Sequence, residues 1–336
     1  MANKKRMLSA LGIIGAGVLA LGLAGCSGGG DAGGSTGDAG GDGDLTTVGF
    51  VAVGPEGGWR NANEQAIKDA FTKDAGFDLK YAPAASPTDQ KSQLDAFSTF
   101  VNDEVDVILL TATEASGWED SLKLAQEAEI PVILLDRGVD ASDDLYVTRI
   151  APDNVKVAGS VGDWATQTYP EGANYYVLEG VPGLSVVNER NEGFDAAIEG
   201  KAGWNKIGAQ TANWTADEGK SVIETVLKEN PNLQFIFAQN DEMGIGAAAA
   251  VSAAGLTPGT DVKIATIDGT TPALEALAKG DLSFVAQYNP FFGDLAVDAV
   301  QKALAGDDVE KTIIVPGETF DSAEAGQAAI DAGKGF

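Results

Sequence analysis

Short runs of branched apolar residues alternate along this chain with longer stretches of helical period, and the alternation is gone through twice. Residues 48–53, 79–82, 105–110 and 132–135 are strand candidates, and the intervening segments 58–75, 90–102 and 117–129 carry apolar residues at helical spacing. The second half repeats the plan, with strands expected at 175–178, 206–210, 235–238, 263–267 and 284–287. Its helices are expected at 155–168, 186–199, 217–229, 244–254 and 272–278, followed by a helix at 293–304 and a strand at 312–315. Strands joined through helices form parallel sheets covered on both faces, because a parallel pair needs a long crossover. Segments 105–136 and 233–268 match element by element: strand, polar turn, helix, strand, aspartate. The roughly 290 residues involved are long for one core and comfortable for two. The expected fold class is α/β, with two similar doubly wound parallel-sheet lobes.

The amino terminus reads differently. Lys4, Lys5 and Arg6 precede an apolar run over 7–24, which leads through Leu23-Ala24-Gly25 to Cys26, the only cysteine. A basic start, a short apolar stretch and small residues at its end read as a removable export signal. The cysteine directly after Leu-Ala-Gly resembles bacterial lipoprotein signals, which implies loss of residues 1–25 and a lipid on Cys26. Residues 27–44 are almost entirely Gly, Asp, Ser, Ala and Thr, too poor in apolar surface to order themselves. They read as a tether spanning roughly 25 Å on Gly-rich chain scaling. The folded part begins at Leu45.

Composition excludes more than it identifies. With 22 Lys and Arg against 50 Asp and Glu the formal charge is −28, which repels nucleic acid and anionic lipid. The absence of His and of a second Cys removes the Ser-His-Asp, Cys-His and usual zinc constellations. Gly219-Lys220-Ser221 is no phosphate loop, since Trp214 stands where the first glycine is required. No cofactor or metal site is evident, although carboxylates on the exterior could hold calcium weakly.

In open parallel sheets ligands bind beyond the carboxyl ends of the strands. The residues found there form a consistent set. Glu56, Trp59 and Arg60 follow the first strand, Asp136-Arg137 the fourth, Trp214 and Asn240-Asp241 two strands of the second half, and Asp268-Gly269 the next. Arg190 lies near a helix start, and Gln287 and Asn289 close the set. Carboxylates accept from hydroxyls, Arg donates through a planar fork, Asn and Gln do both, and Trp covers the C–H face of a sugar ring. The set suits an uncharged polyhydroxylated molecule. Asn240 and Asp268 also suit helix caps, and Glu56 suits the positive end of a helix.

The order of these residues resembles the ribose-binding-protein-like, type I periplasmic substrate-binding proteins of sugar ABC transporters, over Leu45 to the carboxyl terminus. Within that group the chain is similar to galactofuranose-binding proteins. Gly58-Trp59-Arg60, Gly117-Trp118-Glu119, the apolar run ending in Asp136-Arg137, Arg190 ahead of Gly193-Phe194, Asn240-Asp241-Glu242-Met243, Ile267-Asp268-Gly269 and Gln287 carry the likeness. It implies sugar contacts from Trp59, Arg60, Asp136, Arg137, Arg190, Asn240, Asp268 and Gln287, with Trp214 at an aromatic position. The furanose-binding relatives carry an acidic residue where Gln287 stands and pentose-binding relatives carry Gln, so arabinose, galactose and ribose stay open beside galactofuranose.

The likeness further implies a three-segment hinge near 150–151, 287–288 and 315–316. The amino-terminal lobe would then comprise 45–150 and 288–315, and the carboxyl-terminal lobe 151–287 and 316–336. The expected protein is an exported monomer, attached to the membrane through its lipid only, that closes on a monosaccharide and presents it to an ABC permease. It would be no enzyme and would take no cofactor. A sugar-sensing module for a chemoreceptor or sensor kinase uses the same binding event and is the alternative. An exported carbohydrate-active enzyme would need Asp136 and Asp268 as acid and base. Against that reading, Arg137 and a hydroxyl-rich ligand are expected to keep both ionised.

Overall fold

Two six-stranded sheets of the same winding order face the site. The computed structural model describes residues 45–336, so the expected export signal, Cys26 and the tether lie outside the described residues. The first sheet contains β1 (Thr46–Ala52), β2 (Phe77–Pro83), β3 (Val107–Leu110), β4 (Val132–Leu135), β5 (Thr148–Ala151) and β11 (Thr312–Ile314). Its order is β11-β5-β4-β3-β1-β2, with every pairing parallel. The second contains β6 (Asn174–Glu179), β7 (Asn205–Thr211), β8 (Phe235–Ala238), β9 (Lys263–Asp268), β10 (Phe284–Gln287) and β12 (Thr319–Phe320). Its order is β12-β10-β9-β8-β6-β7, with β12 alone antiparallel to its neighbour.

The sequence dictates this locally. β3 and β4 are both Val-Ile-Leu-Leu with every residue buried, the signature of a parallel strand covered on two faces. Helices α1 (Gly58–Ala70), α2 (Gln90–Asn102), α3 (Glu119–Glu127) and α9 (Gly293–Ala305) accompany the first sheet. Helices α4 (Asn154–Thr168), α5 (Ser185–Ile198), α6 (Ala216–Glu229), α7 (Asp241–Ala253), α8 (Thr271–Lys279) and α10 (Ala323–Asp331) accompany the second. A Cβ on Gly193 would lie 2.1 Å from the carbonyl oxygen of Val155, so glycine there is what lets α5 lie against α4.

The chain passes between the sheets three times, after β5, after β10 and after β11. β5, β12 and α10 are absent from the sequence expectation. β5 is four residues of Thr-Arg-Ile-Ala without alternation, and the buried residues of α10 are only Gly326 and Ala329, which give little helical-period signal. The expected helix 58–75 ends at Ala70, and residues Lys73–Ala75 form a separate 3₁₀ turn capped by Thr72. Among the described residues no helix is long and apolar enough to cross a membrane.

Candidate functional site

The carboxyl ends of both sheets meet over one small cavity of about 50 Å³. From the first sheet come Glu56, Trp59 and Arg60, after β1, and Asp136 and Arg137, after β4. The second contributes Arg190 and Val186 from α5, Trp214 after β7, Asn240 and Glu242 after β8, and Asp268 at the end of β9. Tyr288, on the second crossing, forms part of the wall.

Charges on the first side are tied to one another. Arg60 Nη2 donates to Asp136 Oδ2, Arg137 Nη2 donates to Glu56 Oε2, and Arg60 Nε stands 3.6 Å from the same Glu56 oxygen. The Tyr288 hydroxyl donates to Asp136 Oδ1 at 2.8 Å. Asp136 adopts φ +64, a left-handed conformation that Asp tolerates, and Arg149 Nε fixes its carbonyl at 2.8 Å. Burial works against ionisation of Asp136, but the adjoining Arg60 and Arg137 charges outweigh it and hold the carboxyl below its ordinary value. The Trp59 ring carries the Arg60 guanidinium 4.8 Å from its centroid, and its Nε1 donates to the Tyr288 carbonyl.

The second side is built otherwise. Arg190 donates from Nε to Asn154 Oδ1 at 3.0 Å and from Nη1 to the Gln239 carbonyl, and it lies 4.7 Å over the Tyr288 ring. Its Nη2 is 3.7 Å from Asp268 Oδ1, an ion pair without hydrogen-bond contact. Asp268 adopts φ +136, a region costly for any residue but glycine. Fully buried Asp241 holds that turn, accepting from Gly269 N at 2.8 Å, Thr270 N at 2.7 Å, Thr270 Oγ1 at 2.8 Å and Thr266 Oγ1 at 2.6 Å. Burial pushes the Asp268 carboxyl well above its ordinary value, and Arg190 offsets this only in part. Trp214 is seated against Gly180, where a Cβ would fall 1.9 Å from the indole ring.

Four lining atoms are buried without a hydrogen-bond partner: Glu56 Oε1, Arg60 Nε, Arg137 Nε and Trp214 Nε1. An unpaired buried polar group costs about 1–3 kcal/mol, so their concentration at one cavity marks a surface made for a ligand with donors and acceptors. Both oxygens of Asp136 are already engaged, by Arg60 and Tyr288, so Asp136 is not free to act as the base of a carboxylate pair with Asp268. The two aspartates differ in their pairing: Arg60 and Arg137 hold the Asp136 carboxyl below its ordinary value, whereas burial raises that of Asp268, which has the more distant Arg190 beside it.

A model of the periplasmic binding protein domain matches residues 48–308. The chain belongs to this family. It is 48% identical to the fructose import binding protein FruE of Bifidobacterium longum over 96% of this chain and 97% of that one. Identity to the galactofuranose-binding protein YtfQ of Escherichia coli is 37%, over 76% and 81%. A crystal structure from Mycobacterium smegmatis in complex with β-D-fucofuranose superposes with a TM-score of 0.82 at 37% identity, covering 86% of this chain and 95% of that one. The fold is accordingly that of the type I periplasmic binding proteins of the ribose-binding kind.

Of the ten ligand residues expected from the sequence of this periplasmic binding protein, Glu56, Trp59, Arg60, Asp136, Arg137, Arg190, Trp214, Asn240 and Asp268 line the cavity. Gln287 does not. It ends β10 and its side chain turns to the carboxyl-terminal tail, donating to the Lys334 carbonyl at 3.2 Å. Successive strand residues face opposite sides, so the next residue, Tyr288, takes the cavity. Asn289 bonds the Pro316 carbonyl at 3.1 Å, between the second and third crossings. Trp118 of the Gly-Trp-Glu motif is core: fully buried, it packs against Phe97 and donates to the Glu114 carbonyl. Tyr288, Glu242 and Val186 were missed as lining residues. Glu242 could have been found as the first-turn acidic residue of the helix that follows β8.

Proposed function

We propose that the protein captures a single furanose sugar between two closing lobes outside the cytoplasm and delivers it to an ABC permease. The observation that carries this is the meeting of Asp136, Arg137 and Trp59 from one sheet with Arg190, Asn240 and Asp268 from the other around one small cavity. A sugar ring presents hydroxyls that donate to the carboxylates and accept from the guanidiniums, and an apolar face for the indoles. Similarity to a fructose import protein and to furanose-binding proteins supports a five-membered ring, which fructose and galactofuranose share. In this reading the protein binds and does not turn its sugar over.

The lobes are taken as 45–150 with 288–315 and 151–287 with 316–336, hinged where the chain crosses between sheets. The closed form is selected because only it satisfies both halves of the site. A lipid on Cys26 would hold the domain at the outer face of the membrane, with residues 27–44 as its tether. Residues 45–336 should be screened by thermal shift against D-fructose, L-arabinose, D-galactose and D-ribose, with calorimetry on every hit. A sugar that binds the folded state raises its melting temperature by mass action, and X-ray scattering should show compaction. Silence across all monosaccharides would overturn the reading.

A further inference from the structure

The helix that carries Trp59 and Arg60 has no cap of its own. The residue before α1 is Gly57, at φ +119, which offers no side chain, and the first turn contains no acidic residue. The first free N–H, that of Gly58, is bonded instead from the other sheet: it donates to Glu242 Oε1 at 3.0 Å. Glu242 stands in the first turn of α7, where its second oxygen accepts from Asn240 Nδ2 at 2.7 Å. One carboxylate therefore lies at the amino ends of two helices from opposite sides of the cavity. Both ends carry partial positive charge and unsatisfied N–H groups.

Position gives the bond a consequence. Glu56, Trp214 and Glu242 line both the cavity and an outer groove, together with Pro55, Gly57, Pro87 and Asn213 in the groove, so the Gly58–Glu242 bond forms part of the rim between them. Other direct bonds between the two sides, Arg149 to Glu189 at 2.7 Å, Gly138 N to Ser185 Oγ at 3.0 Å and Asn154 Nδ2 to the Tyr288 hydroxyl at 3.1 Å, start within β5, after β4 and on the first crossing. Separation of the lobes must break the bond to Gly58 while leaving Glu242 bonded to Asn240 within its own lobe.

Resting on the function proposed above, we propose that Glu242 is the closure latch: it supplies across the cleft the cap that α1 lacks, and this bond, independent of the sugar's substituents, sets how long a captured sugar is held. A charge-assisted hydrogen bond to a backbone N–H corresponds to roughly tenfold in an equilibrium constant. Because the bond forms only on closure, its loss falls on release and leaves entry unchanged.

The test measures association and release of D-fructose and L-arabinose by stopped flow on residues 45–336, wild type against Glu242→Ala and Glu242→Gln. Expected are release about tenfold faster in Glu242→Ala by the same factor for every sugar bound, an intermediate factor in Glu242→Gln, and unchanged association. Unchanged release overturns the latch. A factor that differs between sugars also overturns it, by assigning Glu242 to sugar contact. This segment lacks cysteine, so spin labels at Thr88→Cys and Ser221→Cys can report the cleft directly. If the wild type binds neither sugar, the proposed ligand class fails separately. The latch is then judged on the label distance, which it predicts to be longer in Glu242→Ala; coincident distributions overturn it.

Discussion

Asp136 and Asp268 are the same residue type, 3% and 4% exposed, at corresponding places after strands of two sheets wound in the same order, yet their carboxyl groups shift in opposite directions. Burial raises both. Asp136 is brought back below its ordinary value by Arg60, Arg137 and the Tyr288 hydroxyl, whereas Asp268 faces Arg190 at 3.7 Å and is also near Asp241, Glu242 and Asp136. Depth is thus not what decides ionisation here; pairing is. The first half of the site is charge-balanced without help, whereas the Asp268 carboxyl of the second half accepts no hydrogen bond among the described residues.

Removing the paired aspartate should have the largest effect. Asp136→Asn keeps the volume and tolerates φ +64, but it leaves the Arg60 charge buried beside a weaker partner. Breaking a buried pair in this way costs on the order of 3 kcal/mol, so urea unfolding of the sugar-free protein should show a clearly lowered midpoint, and binding should be lost as well. An unaltered midpoint would mean that the pairing contributes nothing to the fold and the contrast between the halves is only apparent.

Asp268→Asn should behave as the inverse. It removes a buried carboxyl that accepts no hydrogen bond among the described residues, so the sugar-free protein should be as stable as wild type or more so. Sugar affinity should fall about ten- to a hundredfold, since a charged acceptor for a hydroxyl is worth roughly 1.5–3 kcal/mol. Calorimetry and thermal melting on the same sample separate the two effects. Parallel loss of stability in both variants would break the comparison.

How much of this was legible beforehand follows from what kind of signal each residue left. Asp136-Arg137 stood out because it directly follows Val-Ile-Leu-Leu, and a polar pair at the carboxyl end of a buried parallel strand has few other places to go. Trp59, Arg60 and Asp268 were marked in the same way. Gln287 stands one residue from the cavity lining, because the point at which β10 ends decides which of two neighbours faces the cavity, and the sequence does not mark that point. The pairing itself was out of reach: Glu56 and Arg137 are 81 positions apart. Only the fold shows that Arg137 serves Glu56 and leaves Asp268 to Arg190.

Acidity sharpens the comparison further. Since the folded protein holds the Asp268 proton more tightly than the unfolded chain, folding takes up a proton between the ordinary value of 3.8 and the raised one. Stability should therefore rise as pH falls through that window, by at most about 1.4 kcal/mol per pH unit, and Asp268→Asn should abolish that part of the slope. Asp136 acts with the opposite sign. Its contribution is complete above 3.8 and is lost only as pH falls through its lowered value. Melting curves from pH 7 to 3 should show the Asp268→Asn difference vanishing first and the Asp136→Asn difference surviving to the acid end.

The smallest effect concerns the connection between the halves. Asn154 Nδ2 donates to the Tyr288 hydroxyl at 3.1 Å, that hydroxyl donates to Asp136, and Asn154 Oδ1 accepts from Arg190 Nε, so a chain of hydrogen bonds runs from one half to the other. Burial beside Asp136 keeps the Tyr288 proton in place at any working pH, so the donor is permanent. Tyr288→Phe removes two of these bonds and no charge, which should lower stability by about 1 kcal/mol and affinity a few-fold. Its combination with Asp268→Asn is the informative case. If the chain aligns Arg190 for Asp268, the second substitution has less left to disrupt, and a double-mutant cycle on affinity should show coupling of about 0.5 kcal/mol or more. Strict additivity would mean that the two halves share a sugar but hold their charges independently.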